Sequence, residues 1–462
     1  MKREAAASLF FAMTSSVNPP VTLSAALRYW LKLGFISFGG PAGQIAMMHA
    51  ELVERRRWIS EQRFLHALNY CMLLPGPEAT QLAVYIGWLL HRARGGILAG
   101  VLFVLPSLLI LAGLAWIYLA FGHLPAVAAV LYGIKPAVVA LVLAATWRIG
   151  RRTLRNGLLA GLACAAFAAI MLGVPFPAIV LAAAMLGWLG GRLRPAAFAP
   201  GKPGHGSAPA GYGPAVIDDD TPTPAHARFS WRRLLLTCAA GIGIMAGSWA
   251  VVAAATGLHN PLAQMGWFFT KAALLTFGGA YAVLPYVYQG GVEIHGWLTA
   301  AQMIDGLALG ETTPGPLIMV NAFVGFVGGW THEVLGNPAL SGIAGAAVAA
   351  WFTFVPSFIF ILAGGPLVEA TRGNIRMTAP LTAISAAVVG VIASLAVFFG
   401  EHVFYAGARW DWAAVAIAVF AAWALLRWQA GPVKLLGACA IAGLVLHYAN
   451  EINAVVSLWF RL

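Results

Sequence analysis

Charge is scarce in this chain. Only 10% of its 462 residues are Asp, Glu, Lys or Arg, against 60% hydrophobic. A soluble protein carries roughly 25% charged residues, so a water-exposed globule is excluded and a lipid-embedded chain is indicated. There is no GxxxxGK[ST] loop, no HExxH pair and no nucleophile elbow. Nothing therefore points to ATP hydrolysis, and any work must draw on ion gradients, exchange or the membrane potential. Cysteine is also sparse. Cys71, Cys164, Cys238 and Cys439 sit in apolar segments without CxxC spacing, which indicates neither a disulfide frame nor a metal site. No cofactor is expected.

What is abundant is apolar sequence. Runs of about 20 residues recur along nearly the whole length. They give about thirteen segments, centred near 23–48, 64–90, 97–121, 126–147, 157–173, 177–190, 234–256, 264–289, 303–330, 339–363, 381–400, 412–427 and 435–450. The stretch 157–190 also reads as a hairpin of short helices. A short apolar run at 5–13 follows Lys2 and Arg3. It resembles a signal peptide faintly, but no clear cleavage site follows, and retention is expected. The net charge of +12 mostly encodes orientation, and a positive field for anions is a compatible second reading.

The chain repeats itself. At an offset of 239, Lys32 matches Lys271, Phe38-Gly39-Gly40 matches Phe277-Gly278-Gly279, and Glu54 matches Glu293. Trp58 likewise matches Trp297, and Pro75-Gly76-Pro77 matches Pro314-Gly315-Pro316. At an offset of 250, Pro106-Ser107 matches Pro356-Ser357, and Ala137-Val138-Val139 matches Ala387-Val388-Val389. Duplicated halves with breaks at matching places point to a transporter with a midplane site.

Three parts follow: a repeat over 1–191, a linker over 192–233 and a second repeat over 234–462, with an extra helix at 234–256. The linker is rich in Pro, Gly, Ala and His and holds the acidic run Asp218-Asp219-Asp220. Its composition predicts disorder. Arg192, Arg194, Lys202, Arg228, Arg232 and Arg233 place it in the cytoplasm by the positive-inside rule, and the N-terminus with it. Counting outward, Arg148–Arg155 and Arg92/Arg94 fall inside, as do Arg372/Arg376 and Arg427/Lys434. The loops 122–125 and 331–338 carry no Lys or Arg and fall outside. The Pro-Gly-Pro segments then end on opposite sides, so the repeat is inverted. The connector 51–63 fits poorly, because two full crossings would put its four arginines outside. Re-entrant hairpins at 23–48 and 64–90 resolve this. Glu51/Arg55 and Arg57/Glu61 stand four apart and suit a short salt-laced helix.

The breaks carry the candidate chemistry. Phe38-Gly39-Gly40-Pro41 interrupts an apolar helix, and the freed backbone groups need protein, water or a ligand. A half-helix starting there offers unpaired amides to an oxyanion, and Gly278-Gly279 is expected to do the same. A packing role for the glycines is the plainer reading of either pair alone. Each Pro-Gly-Pro ends one half-helix and starts another, and its flanks are polar at membrane depth: Asn69, Glu78, Thr80 and Gln81, then Glu311, Thr312, Thr313 and Asn321. A simple kink is the alternative. Lys32 and Lys271 either contact the anion or snorkel to the interface. Ser37, Gln44 and Thr276, beside the Gly-Gly breaks, complete the candidate substrate contacts. Glu78 and Glu311 are candidates for proton coupling or helix-end partners for lysine. His66 and Asp305 occupy equivalent positions without ligand spacing.

The runs FISFGGPAGQIAMM, RRRWISEQRFLHALNYCMLLPGPEATQLAVYIGW and FVLPS in the first half, with LLTFGGAYAVLPYV, GWLTAAQMIDGLALGETTPGPLIMV and FVPS in the second, resemble the chromate ion transporter family, long-chain bidomain type. PGPEATQ together with GETTPGP is specific, and the resemblance spares only the N-terminus, the linker and the last helices. It implies an inner-membrane transporter, bacterial in type, that expels chromate, with exchange for sulfate as one route. The expected fold is an all-α polytopic membrane protein of two inverted repeats with broken or re-entrant helices. The expected partners are chromate and the lipid bilayer, and no nucleic acid. Sulfate and a homodimer are left open. Sulfate or another tetrahedral oxyanion is the alternative substrate. An intramembrane enzyme using Glu78 or Glu311, or a channel-like subunit, is the reading from another class. Two inverted copies suit alternating access better than hydrolysis.

Overall fold

The structure is a computed structural model and describes residues 19–38, 40–198, 212–277, 279–370, 379–406, 409–428 and 430–459. Gly39, Gly278, Lys202, Arg372, Arg376 and the apolar run 5–13 lie outside the described residues.

The chain is all-α. The first half comprises α1 (Leu23–Ile36), α2 (Gly40–Met48), α3 (Glu61–Cys71), α4 (Glu78–Phe121), α5 (Pro125–Thr153), α6 (Gly157–Met171) and α7 (Phe176–Leu193). A separate helix follows, α8 (Trp231–Thr256). The second half comprises α9 (Pro261–Leu275), α10 (Leu284–Tyr288), α11 (Ala300–Thr312), α12 (Val320–His332), α13 (Pro338–Ala370), α14 (Ala379–Phe404), α15 (Trp412–Arg427) and α16 (Pro432–Trp459). Among the described residues, seven helices are long and apolar enough to cross a membrane. The 157–190 stretch is a pair of helices, α6 and α7.

α4 is two arms rather than one rod. His91 and Arg92 leave helical geometry, Arg92 at φ 58° and ψ −159°. Gly87 lies against Gly95 and Ala99, and Gly96 against Trp88. Eight residues of straight helix would separate such positions by about 12 Å, so the arm 78–90 folds back on the arm 93–121. In the second half α12 and α13 form the same hairpin, with Gly325 on Gly345 and Gly329 on Ser341. The small residues are what let the backbones approach.

The linker corrects one expectation. Its described end, 212–230, is not disordered but packs on the connector. Ile217 forms a parallel bridge with Ile59. Ser60 donates to Asp219, and Arg63 to the Thr221 carbonyl. His226 Nε2 lies 3.0 Å from the Trp88 carbonyl. The reason is that the connector's exposed edge finds a backbone partner, which composition alone does not disclose. In the connector, Glu51 meets Arg55 (3.4 Å) and Arg56 (2.7 Å), and Glu61 meets His49 (3.8 Å) rather than Arg57.

These contacts locate the ends of the hairpins within the molecule. α3 begins, and the arm 78–90 ends, beside linker residues 217–226. The segment 61–90 therefore starts and finishes on one face of the molecule. Its helices of 11 and 13 residues reach about 16–20 Å. In the second half, Asp305 of α11 bonds Tyr118. Tyr118 stands 26 residues, about 39 Å, along α4 from Arg92. The equivalent of Asp305, His66 of α3, bonds the Val368 carbonyl (3.0 Å) at the far end of α13. The two hairpins thus start from opposite faces of the molecule.

Candidate functional site

The four breaks interlock at the middle. The Gly76 amide donates to the Thr276 carbonyl at 2.8 Å, and the Gly315 amide donates to the Ser37 carbonyl at 2.9 Å. Ser37 and Thr276 are repeat equivalents, as are Gly76 and Gly315. Each Pro-Gly-Pro tip is therefore bonded to the helix end that precedes the Gly-Gly break of the other half. Prolines make this possible: they end α3 and α11 and leave one free amide per tip, on the glycine.

Both tips are closely packed. Gly76 has φ +121° and Gly315 φ +109°, and added Cβ atoms would collide with Ser357 and Ser107 respectively. Those serines are equivalents at the offset of 250. Gln44 is fully buried; its Nε2 donates to the carbonyls of Gly315 (2.5 Å) and Ser37 (3.3 Å). Gln81 Nε2 donates to the Pro75 carbonyl (2.7 Å) and lies 3.5 Å from Ser357 Oγ.

Polar capacity remains unspent there. Ser37 Oγ, Thr80 Oγ1, Gln44 Oε1, Gln81 Oε1 and Asn321 Oδ1 are buried with no hydrogen-bond partner. Buried hydroxyls and amides left so cost about 1–3 kcal/mol each, which a ligand or water can recover. The arm 78–90 adds the amides of Glu78, Ala79 and Thr80, ahead of the first intrahelical bond from Gln81 to Pro77. No side chain caps this helix end. Open space lies beside both Gly-Gly breaks: a Cβ at Gly40 or Gly279 would meet nothing within 4 Å.

The other predicted residues divide. Asn321 Nδ2 is spent on Thr353 Oγ1 at 3.2 Å. Thr276 Oγ1 donates back to the Ala272 carbonyl, while Thr312 and Thr313 both donate to that of Leu309, sealing helix ends. Glu311 accepts from the Tyr281 hydroxyl. Lys32 and Lys271 are exposed, and Lys271 Nζ sits 5.7 Å from the Trp267 ring. The second Gly-Gly break departs from expectation. A 3-10 turn, Ala280–Ala282, intervenes before α10, so the half-helix begins at Leu284 with Pro285 in its first turn.

Sequence reasoning named Ser107 and Ser357 as repeat matches but not as site residues, and passed over Thr353; their place at the tips lies only in tertiary contact. It also missed Lys135, a cation within the apolar segment 126–147 and so an available signal. Lys135 Nζ is 3.3 Å from Asp305. On the linker face, Arg63 lies 4.0 Å from Glu369, which accepts from Tyr85. A crevice of about 530 Å³ opens on that face between Trp88, Arg92, His226, Arg233, Leu362 and Pro366.

The chromate transporter family model matches residues 24–188 and 263–444, covering both repeats and omitting the linker and α8. The chain belongs to the chromate transporter family. It is similar to a chromate transport protein of Pseudomonas aeruginosa, 32% identical over 82% of each chain. It is also similar to one of Cupriavidus metallidurans, 29% identical over 83% of this chain and 84% of that one. A probable chromate transport protein of Synechococcus elongatus is 29% identical over 84% of this chain and 86% of its own. No solved structure matches. This member is thus a multi-pass membrane transporter, and its interlocked tips fall within the matched residues.

Proposed function

We propose that this transporter exports chromate across a cytoplasmic membrane by alternating access at the four interlocked breaks. The reciprocal pair Gly76–Thr276 and Gly315–Ser37 carries the reading. A two-fold-related interlock lets one site be exposed by rocking one half against the other. Ser37, Thr80 and the amides of Glu78 and Ala79 supply hydrogen-bond donors, as a tetrahedral oxyanion requires. The basic crevice at Arg92 and Arg233 draws dianions toward the linker face, which the arginines mark as cytoplasmic. Lys32 and Lys271, exposed about 9 Å before the breaks, act from the rim.

Uptake of labelled chromate into everted vesicles tests this. Uptake above that of vesicles without the protein supports export, and its absence sinks it. Sulfate is the second reading, because its shape and charge match the same donors. Stronger uptake of labelled sulfate than of chromate would favour it.

A further inference from the structure

Asp305 is buried at 2% exposure, seven residues ahead of Thr312. One of its oxygens does all the bonding. Oδ2 accepts from the Tyr118 hydroxyl (2.9 Å) and lies 3.3 Å from Lys135 Nζ. Oδ1 is buried with no partner. An ionised carboxylate has about four lone-pair sites and donates nothing, so Oδ1 is a buried charged acceptor without a donor, and a proton there would neutralise it.

The pair also spans the halves. Asp305 belongs to α11 of the second half, Lys135 and Tyr118 to α5 and α4 of the first. It lies toward the face away from the linker. On the linker face a different carboxylate, Glu369, is engaged through both oxygens by Tyr85 and Arg63. At the repeat equivalent of the Asp305 pair, His66 meets a backbone carbonyl and Ser385 stands where Lys135 would. Among the described residues, the ion pair with an open oxygen therefore occurs on one face.

We propose that Asp305 is a proton-binding site whose occupancy opens the face away from the linker. The proton adds to Oδ1 and the carboxylate becomes neutral. Lys135 keeps its charge but loses its counter-ion. No covalent bond other than the new O–H changes; the ionic attraction between α11 and α5 is lost, while the Tyr118 hydroxyl can still donate to Oδ2. α12, α14 and α16 also pack on α11, but among the described residues only Lys135 and Tyr118 present a charged or titratable group to Asp305. Glu311, on the same helix, is taken by Tyr281. The inference rests on the alternating-access reading, but its test needs no chromate.

Ala115 lies one turn inside Tyr118 and is fully buried. Ala115→Cys is placed in a protein lacking the four native cysteines and labelled from the far face with an impermeant thiol reagent. Asp305→Asn in the same background should label about tenfold faster at neutral pH, the factor that 1.4 kcal/mol gives. The gap should close as pH falls. Comparing the two proteins at one pH removes the thiol's own titration. Lys135→Gln should behave as Asp305→Asn does. Equal rates at neutral pH, or a gap that ignores pH, overturn the proposal. Should Asp305→Asn not fold, infrared titration of the Ala115→Cys protein and of its Lys135→Gln variant decides. A buried-acid carbonyl band that grows with acid in the former and is already present at neutral pH in the latter supports the site; identical spectra overturn it. Labelling that follows pH in a protein that moves no chromate would retire chromate export and leave the gate standing.

Discussion

The amide of Gly76 is bonded to the carbonyl of Thr276 at 2.8 Å, and the repeat returns the same bond from Gly315 to Ser37 at 2.9 Å. Each tip glycine holds a φ beyond +100° and has a serine of the other half against it. A methyl group meets both obstacles at once. Backbone strain of this kind costs on the order of 1–3 kcal/mol before any collision is counted. Gly76→Ala and Gly315→Ala should each lower thermal stability in detergent and cut chromate uptake at least about tenfold. Normal stability with normal uptake in either variant would mean the interlock is not needed for transport.

The lysines give a sharper test of what the exposed rim does. Lys32 and Lys271 are exposed, and Lys271 leans on Trp267, the posture of a long side chain carrying its charge toward the interface. Lys32→Gln and Lys271→Gln should therefore leave the half-saturating chromate concentration within about twofold, less than 0.5 kcal/mol of binding. A rise of tenfold or more in correctly inserted protein would instead put these lysines in direct contact with the anion.

Much of this arrangement was legible before any coordinates. The repeat offsets locate both tips, because Pro-Gly-Pro and Gly-Gly are local events that a chain cannot hide. The interlock itself was not legible. Ser107 and Ser357 sit in ordinary apolar helices, and only the tertiary approach of the other half gives them a partner. The second Gly-Gly break also misled. Without a proline at its next position, the chain takes a 3-10 turn and restarts at Leu284, ahead of Pro285. The linker misled for the opposite reason. Its low-complexity composition conceals Ile217, one apolar residue that finds the connector's edge.

Orientation is open to a direct check. The linker, the connector 51–63 and the fold-back at Arg92 share one face, and all are arginine-rich. The loop 331–338 lies at the end of α12 and carries no Lys or Arg. In a background without native cysteines, Thr223→Cys should resist an impermeant thiol reagent added to intact cells, and Glu333→Cys should react. Equal labelling of the two from outside would refute the inverted arrangement.

The driving force is the remaining quantity the chemistry constrains. A chromate dianion leaving an inside-negative cell moves downhill electrically. At about 2.3 kcal/mol per charge per 100 mV, two charges yield roughly 4.6 kcal/mol, enough to sustain a large outward gradient without ATP. One-for-one exchange with a sulfate dianion cancels that term completely, so the two routes separate by experiment. Everted vesicles at fixed pH, with no sulfate inside, should take up chromate faster when a valinomycin-imposed potential is lumen-positive. Rates that ignore the potential and require trapped sulfate would establish electroneutral exchange instead. Rates that follow imposed pH alone would move the coupling to a carboxyl group, with Asp305, Glu78 and Glu311 as the three to replace by their amides.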